Sequence, residues 1–125
     1  MLKQILTILL LLPSLTFAGD FSDKDLIGDW EWLGNSFTRS DDTNDLMRTG
    51  PSIKKFHQDG TFEYIAVRNG KQKKAVKGSW VLRNNVLSIT RPDNGTFQNK
   101  VVSFKNGILE TQEKEMETFS YMKKQ

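Results

Sequence analysis

Few residues in this chain have the types and spacing that chemistry demands. His57 is the single imidazole and there is no cysteine, so nucleophilic catalysis would need a hydroxyl activated by that one ring. The neighbours of His57 are Phe56, Gln58 and Asp59, just ahead of a turn. Alternation sets it opposite Phe56, facing water, and no catalytic residue is assigned. One histidine without a thiol also falls short of the donor set of a nitrogen- or sulfur-ligated metal centre. The densest oxygen cluster is Ser40-Asp41-Asp42-Thr43-Asn44-Asp45. Calcium favours such ligands, but the glycine and terminal glutamate of an EF-hand loop are missing. A solvated acidic loop is expected there, with no metal and no cofactor.

Arg68, Lys71, Lys73, Lys74 and Lys77 form the main basic patch. It could meet an anionic lipid or polysaccharide, but it lacks the interleaved aromatics of a single-strand nucleic-acid platform. The overall balance, 18 Lys and Arg against 15 Asp and Glu with a net charge of +3, is a small lysine excess. No nucleic-acid partner is expected. What remains is a set of aromatics: Trp32, Phe62, Tyr64, Trp80, Phe97 and Tyr121. Rings with two phenolic hydroxyls among them suit an apolar pocket with a few polar fixings.

Those rings need strands to hold them. Asp59-Gly60, Asn69-Gly70, Asn84-Asn85, Asp93-Asn94-Gly95 and Asn106-Gly107 recur through the second part of the chain. Gly, Asn and Asp tolerate positive φ, which tight hairpins require. Between the turns lie segments of strand composition at 52–58, 61–68, 75–83, 86–91, 96–105, 108–112 and 117–123, with a first at 27–33. Eight short strands joined by hairpins predict an all-β antiparallel meander, a barrel or a sandwich. Trp30 and Trp32 share one face of the first strand; Phe62 and Tyr64, Trp80 and Leu82, and Leu87 and Ile89 alternate likewise. Phe97 and Val101 face in with Lys100 out, although Val102 and Phe104 run in the opposite phase. Phe119 and Tyr121 close the series. No window of residues 19–125 carries a helical period. The stretch 34–50 breaks the rhythm, and long connections in compact domains are often functional.

The opening residues have the three parts of an export signal: Lys3, an apolar run from Ile5 to Leu12 ended by Pro13, and Thr16-Phe17-Ala18 before Gly19. The apolar run falls well short of the roughly 18–20 residues that span a bilayer. Residues 1–18 are expected to be a cleavable signal peptide and 19–125 a single β-barrel domain. No transmembrane segment is expected in the mature chain, whose place is the periplasm or the extracellular space.

Leu26-Ile27-Gly28-Asp29-Trp30 resembles the Gly-x-Trp signature that opens the first strand of lipocalin-like proteins. Phe56 with Asp59-Gly60-Thr61-Phe62, and Gly78-Ser79-Trp80 with Leu87-Ser88-Ile89, resemble further motifs of the small bacterial members, across nearly the whole of residues 19–125. The resemblance implies a short up-and-down eight-stranded antiparallel barrel of the calycin type, plugged at one end by Trp30. It also implies a basic residue over that ring, with Lys123 or Lys124 the nearest candidate.

The expected function is that of an exported, non-enzymatic binding protein. Its ligand would be small and apolar or amphipathic, held in the barrel mouth by Trp32, Phe37, Met47, Phe62, Tyr64, Trp80, Phe97 and Tyr121. In this reading Phe37, Leu46 and Met47 form a lid. The alternative is a filled barrel acting through its surface as a protein-interaction or inhibitor module with an envelope protein as partner.

Overall fold

Asparagine pairs make the corners of this molecule. In the computed structural model, which describes residues 21–40, 46–47, 50–115 and 117–125, Asn84 and Asn85 both adopt positive φ, at 52° and 61°. Two consecutive left-handed residues twist the chain in the sense that flanking strands need. The same geometry recurs at Asn69-Gly70 and Asn106-Gly107. The strands so joined are β1 (Gly28–Ser36), β2 (Ser52–Phe56), β3 (Thr61–Arg68), β4 (Lys71–Gln72), β5 (Val76–Arg83), β6 (Val86–Arg91), β7 (Gly95–Lys105), β8 (Ile108–Glu113) and β9 (Phe119–Lys124).

The sheet order runs β2-β1-β9-β8-β7-β6-β5-β3-β4, and β2 also pairs with β3. That extra pairing closes the sheet. Eight strands form an antiparallel up-and-down barrel, and the two-residue β4 is a spur on the end of β3. The lipocalin-like architecture expected from the sequence is the architecture observed. Among the described residues, no helix is long and apolar enough to cross a membrane. Residues 1–18, with the expected signal peptide, lie outside the described residues, as do Asp41, Asp42 and Asp45.

One short helix was not expected. Helix α1 (Asp23–Leu26) precedes β1 and lies under the base of the barrel. The Asp25 carboxylate accepts a hydrogen bond from the Ser22 N–H at 2.9 Å, half of a capping box. Its last carbonyls, which a helix cannot satisfy internally, are met from the barrel. Trp30 Nε1 donates to Leu26 O at 2.7 Å, and Lys124 Nζ donates to Asp25 O at 2.6 Å. Leu26 and Trp30 are completely buried. Lys124 Nζ stands 5.6 Å from the Trp30 ring centroid, so the basic residue over the plug is Lys124.

The interior above this plug is apolar for half its depth. Phe56, Phe62, Trp80, Leu87, Ile89, Val101, Leu109 and Met122 fill it. Two irregularities adjust which side chains face in. In β7 the register slips between Val101 and Ser103, so Val102 is an extra residue and the phase inverts after it. Val101 enters the core, while Phe104, itself exposed, leans on Phe21 and Trp30 at ring-centroid distances of 5.2 and 5.8 Å. The conflicting phases of Val101 and Phe104 in the sequence are this bulge. In β1 the register slips between Trp32 and Gly34, so that Leu33 stays on the outer wall with Tyr121 and Asn35 joins Trp32 on the inner face.

Candidate functional site

The chain after β1 leaves the open end of the barrel and turns back down its outside. Asn35 and Met47 exchange backbone hydrogen bonds at 2.9 and 3.0 Å. Leu46 packs with Leu33 and Tyr121 in a second apolar cluster on the outer wall. Gly34 makes this possible: a Cβ there would stand 2.6 Å from Met47 O and 2.9 Å from Leu46 Cβ. The lid expected over the mouth is therefore absent from Leu46 and Met47. Met47 and Phe37 are exposed, Phe37 by 74%, and neither meets the interior.

Tyr121 moves to the outer wall with them. Its ring is buried, but Met122 is the residue of that pair that enters the core. Tyr121 Oη donates to Glu110 Oε2 at 2.8 Å and accepts from the Ser40 N–H at 2.8 Å. Glu110 also accepts from Ser103 Oγ at 2.9 Å and from both prongs of Arg39, at 2.9 and 3.1 Å. Burial works to raise the Glu110 pKa, but these hydrogen bonds from Arg39, Tyr121 and Ser103 outweigh it and hold the carboxyl below its ordinary value. This is a clasp that fixes the loop to the wall. Sequence reasoning placed Tyr121 inside because it is aromatic; here the outer face is buried as well.

Of the expected pocket residues, Trp32, Phe62 and Phe97 line one cavity in the upper barrel, of about 230 Å³. Trp80 lies deeper, edge-on to Phe56 at 6.0 Å, with its Nε1 donating to His57 O at 2.9 Å. It belongs to the packed half. Tyr64 flanks the cavity through Arg91, whose guanidinium sits 4.3 Å from its ring centroid.

The rest of the lining is polar and was not anticipated: Asn35, Lys54, Arg91, Asn99, Glu113, Thr118 and Ser120, with Ile89 the remaining apolar wall. The signal was in the alternation. Lys54 is in phase with Phe56, Arg91 with Leu87 and Ile89, and Asn99 with Phe97 and Val101. Lys54 Nζ lies 4.7 Å from the Trp32 ring centroid, in cation–π range. Among the described residues it has no carboxylate within ion-pair distance. Burial first, and then the charge of Arg91, push its ammonium from 10.5 down to about 8. Arg91 is tethered from the β6–β7 turn by Asp93, at 2.6 and 3.0 Å. Two buried polar atoms, Trp32 Nε1 and Asn35 Oδ1, have no hydrogen-bond partner. Both belong to cavity-lining residues.

A shallow groove of about 670 Å³ beside α1 is walled by Phe21, Ser22, Leu82 and the Asn84-Asn85 turn. It contains no buried polar atom without a partner, and the interior cavity is the stronger candidate. His57 faces outward and meets Glu63, Nε2 to Oε2, at 2.6 Å. Among the described residues, no hydroxyl joins that pair to form a nucleophilic triad. Among the described residues, no group of three or more His, Cys, Asp or Glu side chains could hold a metal ion.

No family model matches the chain, and no curated protein matches it. Solved structures do. An uncharacterized protein from Bacteroides eggerthii superposes with a TM-score of 0.63 at 13% identity, covering 80% of this chain and 99% of its own. A lipocalin-like protein from Bacteroides uniformis superposes with a TM-score of 0.58 at 18% identity, covering 81% and 99%. At such identities the likeness is one of fold.

Proposed function

We propose that this lipocalin-like barrel is an exported, non-enzymatic binding protein that takes a small amphipathic ligand into its upper cavity. The observation that carries the reading is a barrel filled only halfway. Below, apolar side chains close the space; above, a 230 Å³ cavity contains the rings of Trp32, Phe62 and Phe97 beside polar side chains. Buried polar atoms nearly always have partners, and the unpartnered Trp32 Nε1 and Asn35 Oδ1 support a ligand that brings polar groups into the cavity. The volume lies below the usual 300–1,000 Å³ of drug-sized pockets, so the ligand is small and a long acyl chain does not fit within it. Export is supported by the Lys3, Ile5–Leu12 and Thr16-Phe17-Ala18 pattern.

Native mass spectrometry of protein isolated from its own host tests the reading. A co-purifying small molecule, lost on unfolding, is expected. Protein that leaves the host empty and binds neither neutral nor charged small amphiphiles overturns it. The second reading, a surface module contacting an envelope protein, draws on the exposed Phe37 and Met47 that the Glu110 clasp presents on the outer wall.

A further inference from the structure

We propose that the ligand of the upper cavity is a small oxyanion on an apolar body, with its charge held by Lys54 and Arg91. The inference rests on the binding reading above and adds the chemical class.

The charged groups lining the cavity are Lys54, Arg91 and Glu113, and Asp93 reaches Arg91 from the turn. The two cations rest on aromatic faces, Lys54 on Trp32 and Arg91 on Tyr64. Lys54 has no acidic partner among the described residues, and the charge it feels most is the like charge of Arg91. Lys54 is half-buried, and taking an ammonium even partly out of water without a counter-ion is costly. A barrel can avoid that cost with an apolar residue at this phase, as it does at Phe56 one step along the same face. An incoming carboxylate or phosphate ester removes the penalty by pairing with Lys54 and Arg91, and Trp32 Nε1 offers a neutral donor. Ile89, Phe62 and Phe97 face the body of such a molecule. Benzene fits an apolar cavity of about 150 Å³, so a single substituted ring matches the 230 Å³ here.

The experiment titrates the intact protein by calorimetry with benzoate, phenyl phosphate, benzyl alcohol and benzylamine. At least one of the two anions is expected to bind about tenfold or more tightly than benzyl alcohol, as charge-assisted hydrogen bonds predict. Which anion wins separates a carboxylate site from a phosphate site. Lys54→Met is expected to abolish the advantage while retaining benzyl alcohol binding, and Arg91→Met to reduce it. Affinity for benzoate should fall as pH rises through about 8, where Lys54 loses its proton. Equal binding of benzoate and benzyl alcohol, or an anion preference untouched by both substitutions, overturns this inference and leaves the cavity reading standing. A preference for benzylamine overturns it in favour of Glu113 as anchor. Binding by none of the four overturns both.

Discussion

Arg39 and Glu110, separated by 71 positions, form a two-pronged ion pair on the outside of the barrel, with nitrogen–oxygen distances of 2.9 and 3.1 Å. Arg39 comes from the segment that leaves β1, and Glu110 from the middle of β8. The pair ties the segment that follows β1 to the wall beside it.

The clasp should be breakable without harm to the cavity. Glu110→Gln keeps the shape but removes the charge that Arg39, Tyr121 and Ser103 share. Proteolysis near residues 39–50 should then become faster, while small-molecule affinity in the cavity stays unchanged. Acid should act in the same way. The Glu110 pKa is lower in the folded protein, so its contribution is complete above the ordinary value of 4.5 and is lost as pH falls through the depressed one. Glu110→Gln should be insensitive to that part of the acid transition.

Lys54 makes the opposite prediction. Its folded pKa, about 8, lies below the unfolded 10.5. Below pH 8 both states hold the proton and the folded state bears the whole penalty. Between the two values the unfolded state holds a proton that the folded one has released, so stability rises with pH. Lys54→Met should therefore be more stable than the parent at neutral pH, by about 1–3 kcal/mol. The advantage should shrink between pH 8 and 10.5. Urea unfolding across that range measures both parts.

Trp30→Ala should cost about 3–5 kcal/mol, the range for deleting a buried large aromatic. Its ring is fully buried and its Nε1 closes α1 onto the base. In a variant with Phe at the other tryptophans, Trp30 emission should be blue-shifted and resistant to soluble quenchers. Exposed emission would contradict the plugged base.

Two glycines separate wall from core. A Cβ on Gly78 would run into the Thr90 carbonyl oxygen on the neighbouring strand β6. Gly78→Ala should destabilise the whole barrel by about 1–3 kcal/mol, the cost of overpacking. Gly34→Ala would push on Met47 and Leu46 at a backbone φ of +136°. It should loosen the loop first, so protease sensitivity should rise more than the thermal midpoint falls.

The hairpin corners and most strand limits could be read from Asn-Gly pairs and alternation, because turn chemistry is local and a half-buried strand repeats every second residue. Local rules failed where both faces of a strand are covered. Phe119 and Tyr121 alternate with Ser120 and Met122, and the pattern does not reveal that Leu33 and Leu46 bury the outer face. Bulges at Leu33 and Val102 shift the phase without a mark in the sequence. The cavity was half legible: its aromatics were found by type, while Lys54 and Arg91 occupy the same inward phase, an unusual place for charged residues, and were not assigned to it. Four-residue α1 is too short to show a period, although Ser22 and Asp25 carry its cap.

Strand β1 pairs with β2 on one side and with β9 on the other. Strand β2 follows along the chain, but β9 arrives from its far end: Trp30 lies opposite Lys124 in the ladder. Nearly every other neighbour is a hairpin. The seam between β1 and β9 is thus the contact of greatest sequence separation, the kind that slows folding. A chain emerging from synthesis presents a sheet with two bare edges until β9 docks, and bare edges invite pairing with other chains. The charges of Lys123 and Lys124 on β9 oppose pairing of its own bare edge with other chains.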